Sequence, residues 1–230
     1  GVAQVTNLNL NGAALIHAPG NNLTLWNSLP INMTGGYMAA TNTGGRLDFG
    51  TGASVNTLPS ANSSIIAGAN LYLRQANTVF NVADGAASDD LVISAPINQE
   101  AASYGITKNG AGRLKITGPV AFSGALTING GSVVLGASSP LTSVAGTITL
   151  ASGTTLDVSA PGGLTLNSGQ TLQGNGTVTG NVTDGSSTVI SGGSSTGTMT
   201  VNGSLTLNGS GSLALKLANV TTVGGGVNDL

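Results

Sequence analysis

The chain has 230 residues, 37 of them Gly, and with 28 Thr, 24 Ser and 23 Asn these four types make up nearly half of it. Only 6% of residues are charged and the formal net charge is -2, against a charged fraction of roughly 25% in an ordinary globular domain. A helical bundle is excluded because Glu, Lys and Arg are too few. The lack of Cys excludes a disulfide scaffold or thiolate metal site, and no basic footprint for nucleic acid exists.

Disorder is excluded as well: 40% of residues are hydrophobic and the net charge is near zero, the reverse of a disordered composition. In chain order the elements read as short strands between turns. Val2, Val5, Leu8 and Leu10 predict strand almost from Gly1, and His17, in Ile16-His17-Ala18-Pro19-Gly20, is expected in a turn. All seven aromatic residues, Trp26, Tyr37, Phe49, Tyr72, Phe80, Tyr104 and Phe122, precede residue 123. Ala86-Ala87-Ser88-Asp89-Asp90 reads as a loop, and with Asp84 it holds the one cluster of carboxylates.

From Leu126 onward, apolar pairs alternate with polar residues: Leu126/Ile128, Val133/Leu135, Ile148/Leu150, Leu156/Val158 and Leu164/Leu166. Period two marks a strand with one buried and one wet face. Between the pairs stand turn formers such as Asn129-Gly130-Gly131, Pro161-Gly162-Gly163 and Gly174-Asn175-Gly176. Leu205/Leu207 and Leu213/Leu215/Leu217 continue the pattern, and Val227-Asn228-Asp229-Leu230 begins another strand.

Such spacing fits an antiparallel sandwich with Asn-Gly hairpins or a parallel β-solenoid with three strands in each coil of about 22–24 residues. Three features favour the solenoid. The phrases Leu126-Thr127-Ile128-Asn129-Gly130, Leu164-Thr165-Leu166-Asn167-Ser168 and Leu205-Thr206-Leu207-Asn208-Gly209 repeat one another. Aromatic residues, which normally fill a sandwich core, are absent after Phe122. Exposed Thr, Ser and Asn at equivalent positions can bond coil to coil. The expected fold is therefore all-β, a single β-helix over 1–230 of about ten coils and on the order of 50 Å long.

Residues 106–136 resemble the autotransporter-associated β-strand repeat. The resemblance rests on Thr107-Lys108-Asn109-Gly110-Ala111-Gly112-Arg113-Leu114-Lys115-Ile116-Thr117-Gly118, on the corner Phe122-Ser123-Gly124 and on Leu126-Thr127-Ile128-Asn129-Gly130-Gly131-Ser132-Val133. Flanking phrases extend the likeness over about residues 78–230, whereas 1–77 share only the texture. Asn109, Ser123 and Pro119-Val120 depart from the family pattern, and nothing in the chain resembles the outer-membrane barrel that ends a true autotransporter. The resemblance implies a right-handed β-helix on the bacterial cell surface or outside the cell, acting as a stalk or scaffold. On this basis 1–105 are expected to form less regular, aromatic-containing coils and 137–230 regular Gly/Thr/Asn-rich ones.

Gly110, Gly112, Gly118, Gly124, Gly130 and Gly131 are read as corners that need positive φ. Asp84, Asp89 and Asp90 are the candidate oxygen ligands for calcium, although a solvated turn explains them more simply, and no cofactor is expected. Gly193-Ser194-Ser195-Thr196-Gly197 matches a nucleophile-elbow pattern but lacks the following helix and a nearby base. Trp26, Tyr37 and Tyr72 are the candidate glycan-stacking residues. No capping helix is visible at either end, so end-to-end self-association, or continuation of a longer solenoid, is expected. No 18-residue apolar run and no signal peptide is seen, so membrane insertion is not expected. The expected role is structural and extracellular, with a glycan-binding adhesin as first alternative and a polysaccharide-cleaving β-helix enzyme as second.

Overall fold

The computed structural model describes residues 7–17, 22–25, 29–40, 45–101, 103–193 and 197–214. Its described elements are all β-strands, paired in parallel with the strand one turn before and one turn after. The chain therefore winds as an all-β parallel solenoid of about eight turns. Among the described residues no helix is long and apolar enough to cross a membrane.

A first face stacks ten strands, from Leu8–Asn11 through Pro30–Thr34, Ser54–Thr57, Asn77–Val82, Gly105–Asn109, Leu126–Ile128, Ile148–Leu150, Thr171–Gly174 and Val189–Ser191 to Ser212–Ala214. A second face of nine strands runs from Ala14–His17 to Thr200–Asn202. The third face is in two parts. Asn22–Leu25, Arg46–Phe49, Leu71–Leu73 and Ile97–Gln99 form the first, and Leu164–Thr165, Val182–Thr183 and Leu205–Thr206 the second. Between them the face holds only an isolated bridge from Ile97 to Val120. His17, expected in a turn, instead ends a strand and pairs with Ala40: four residues from Ala14 meet a ready partner in the next coil, and this outweighs the local Pro19-Gly20 signal.

Alternation builds the core. On the first face Ile106, Leu126, Ile148, Leu172 and Ile190 stack in register, and all five are buried. On the second, Leu91, Leu114, Val133, Leu156 and Val178 do the same. These are branched aliphatic residues, which suit a pleated surface packed on one side. Part of the filling is aromatic: Phe49 and Phe80 are fully buried with ring centroids 6.4 Å apart, and Phe122 is buried further along.

The outside is bonded as well. Asn9, Asn32, Asn56, Asn81, Asn109 and Asn129 form a continuous amide ladder on the first face. Each Nδ2 donates to the Oδ1 of the preceding rung at 2.7–3.0 Å. The sequence separations along it are 23, 24, 25, 28 and 20 residues, which bracket the coil length expected from spacing. The 28-residue coil absorbs the Ala86–Asp90 stretch, which is a loop as anticipated. After Asn129 the register brings Ala151, and the ladder stops.

Candidate functional site

The corner between the first and second faces gathers the most unusual chemistry. Lys108 is aligned between Phe80 and Ile128 on the first face, so strand alternation sends its side chain into the core, where it is fully buried. Its Nζ donates to the carbonyl oxygens of Asn109 (3.1 Å), Gly110 (2.8 Å) and Gly130 (3.0 Å). Burial lowers its pKa to about 8, opposed in part by the charge of Asp90. Asp90 is itself buried. Its Oδ1 accepts from the Gly85 amide and its Oδ2 from the Arg113 amide, both at 2.8 Å.

The three candidate calcium ligands are thereby separated. Asp90 points inward to backbone amides, while Asp89 pairs with Arg113 at 2.8 Å and Lys115 at 3.1 Å. Asp84 is exposed. Among the described residues no three His, Cys, Asp or Glu side chains are placed to hold a metal ion.

Of the six corner glycines, only Gly110 (φ 82°) and Gly131 (φ 60°) have the positive φ expected of them. Gly112, Gly118, Gly124 and Gly130 are required for a different reason. A Cβ on each would lie 2.3–2.7 Å from the backbone of the neighbouring coil, as at Gly118 against the Ala95 carbonyl. Close approach of coil to coil, not turn conformation, selects them.

A second cluster lies on the third face. Asp48 is fully buried between Arg46 Nε (3.0 Å) and Arg74 Nη1 (3.0 Å). Glu100 closes the set, 3.1 Å from Arg46 and 3.6 Å from Arg74. The Arg46 guanidinium covers the Tyr72 ring at 4.6 Å from its centroid, a cation–π contact that occupies one face of a candidate sugar platform. Tyr37 stands on the second face, 36% exposed, so the two tyrosines do not share a surface. Trp26 and Ser194 to Thr196 lie outside the described residues.

Asp184 takes the place of a core leucine. On the third face Leu164, Val182 and Leu205 align, which puts Asp184 in the row of Leu166 and Leu207. Its Oδ1 accepts from the Asn208 amide of the following coil, and its buried Oδ2 has no hydrogen-bond partner among the described residues. Gly211 makes room for it: a Cβ there would fall 2.4 Å from that oxygen.

Neither Lys108 nor Asp184 was recognisable as interior from residue type. The signal was in the pattern, since Lys108 follows Ile106 and Asp184 follows Val182 at the two-residue spacing of core positions. Comparison with protein-family models, curated proteins and solved structures found no match for the chain.

Proposed function

We propose that the chain is a non-enzymatic structural segment of the bacterial cell surface or extracellular space, a stalk, fibre or passenger-like scaffold related to the autotransporter-associated repeat family. The observation that carries this reading is the use of the polar exterior. Asparagine amides are spent on one another from Asn9 to Asn129. The arginines on the third face are spent on Asp48 and Glu100. Polar side chains bonded from coil to coil in this way stiffen a rod.

The coil is right-handed in this proposal, as parallel crossovers in one sheet nearly always are, and the expected count of about ten coils takes each strand of the first face as one coil, against the about eight turns of the structure. Self-association is end to end. Leu205 and Leu213 on the last described strands and Leu207 between those strands are 37%, 43% and 47% exposed, and the sequence from Gly185 to Ala214 has no charged side chain to repel a second copy. Sedimentation velocity over a hundredfold concentration range tests this: the sedimentation coefficient should rise with concentration, and Leu207→Lys should suppress the rise. A concentration-independent monomer would refute self-association.

A glycan-binding reading draws on Tyr37, the exposed aromatic of the second face. Binding on a glycan array that is lost in Tyr37→Ala but kept in Tyr72→Ala would favour it.

A further inference from the structure

The apolar pattern of this solenoid leaves its register underdetermined along the strand direction. Ile106-Thr107-Lys108, Leu126-Thr127-Ile128 and Ile148-Thr149-Leu150 pair in that order. A slip of two residues keeps every inward position inward and exchanges one aliphatic contact for another. Nothing in a Leu/Ile/Val row penalises it strongly.

Lys108 breaks this degeneracy. Two of its three acceptors, Asn109 and Gly110, belong to its own coil and travel with it, whereas the third, the Gly130 carbonyl, belongs to the next coil, 22 residues on. Asp90 in the preceding coil is the charged group that faces it, and it is anchored to the Arg113 amide of the coil that carries Lys108. Its row neighbours Phe80 and Ile128 are uncharged, and the Asp89, Arg113 and Lys115 cluster stands on the second face, where Leu114 and Ile116 alternate inward. A two-residue slip against the following strand removes the Gly130 carbonyl and leaves a buried ammonium short of an acceptor.

We propose that Lys108 sets register beside the asparagine ladder, as a buried cation whose three-carbonyl cage closes only when its own coil and the next are aligned as observed. Buried polar groups can set register at a cost in stability. The proposal therefore predicts separate effects on stability and on alignment.

The chain has no Cys, so a disulfide can report register directly. Thr107 and Thr127 are Cα partners across the strands beside Lys108, and a Thr107→Cys/Thr127→Cys pair can close there but not after a two-residue slip, which carries the Cα atoms beyond about 7 Å. The doubly substituted protein is unfolded, refolded at pH 7 and then oxidised briefly. Nearly complete cross-linking is expected with Lys108 present, and at least a threefold larger uncross-linked fraction with Lys108→Met. The second arm keeps Lys108, refolds at pH 10, where the amine within the fold is neutral and has only two N–H donors for three carbonyls, and returns to pH 7 before oxidation. The same rise is expected there, and this arm decides should the methionine variant fail to fold. Equal cross-linking in the pH 7 and pH 10 arms overturns the proposal. So does equal cross-linking with and without the Lys108→Met substitution when both proteins fold.

Discussion

At the scale of single residues, the interior charges and the amide ladder make opposite demands on stability. Lys108 ionises near pH 8 in the fold and at the ordinary value of 10.5 when unfolded. Between those values the unfolded chain holds more protons, so stability rises with pH across about 8 to 10.5, by up to about 3 kcal/mol. Below pH 8 both states are protonated and the burial cost is fully present. Urea titrations at pH 7, 8.5 and 10 should show this rise in the protein and not in Lys108→Met, compared at each pH. Asn56 sits mid-ladder, donating to Asn32 and accepting from Asn81. Asn56→Ala should cost about 1–3 kcal/mol, since it also strands the Asn81 amide donor. Asn129→Ala, at the exposed end with one ladder bond, should cost less in the same denaturation assay.

At the scale of elements, coil-to-coil approach governs what can be replaced. Gly118→Ala forces a Cβ to 2.3 Å from the Ala95 carbonyl and should cost at least about 2 kcal/mol, because backbone rather than a movable side chain is in the way. At Gly153 a Cβ meets nothing within 4 Å, and only its φ of 76° resists substitution. Gly153→Ala should therefore cost about 1 kcal/mol, and urea midpoints of the two variants separate the mechanisms. This is also where sequence and structure part. The strands, the parallel winding and the coil-to-coil ladders were legible because period-two alternation and repeated Leu-Thr-Leu-Asn phrases are local signals. The reason for Gly112, Gly118, Gly124 and Gly130 was not, because it depends on a carbonyl one coil away. The separation of Asp89 from Asp90 was not legible either, because both lie in a loop where strand alternation does not apply, and the amides that capture Asp90 come from Gly85 and Arg113, which no local pattern announces. Tyr72 was legible as an aromatic and illegible as a support for Arg46, which stands 26 positions earlier and meets it only once the coil closes.

At the scale of the whole molecule, ten rungs on one face separated by about 4.8 Å make a column about 43 Å long. Stability of such a column resides in contacts between neighbouring coils, so its interior cannot be summed as a globular core. The third-face cluster ties coils together electrostatically: Arg46 and Asp48 in one coil, Arg74 in the next and Glu100 in the one after. Asp48→Asn should lower stability by about 1–3 kcal/mol, the partly exposed guanidinium groups limiting the loss, as read from the midpoint of thermal unfolding. If columns continue from molecule to molecule, their strands lie across the long axis of the assembly. Diffraction from concentrated protein aligned by flow or drying measures this directly. A reflection near 4.8 Å along the alignment axis is the predicted result, and its presence only at right angles to that axis, or isotropic scattering from separate particles at every concentration, would contradict it.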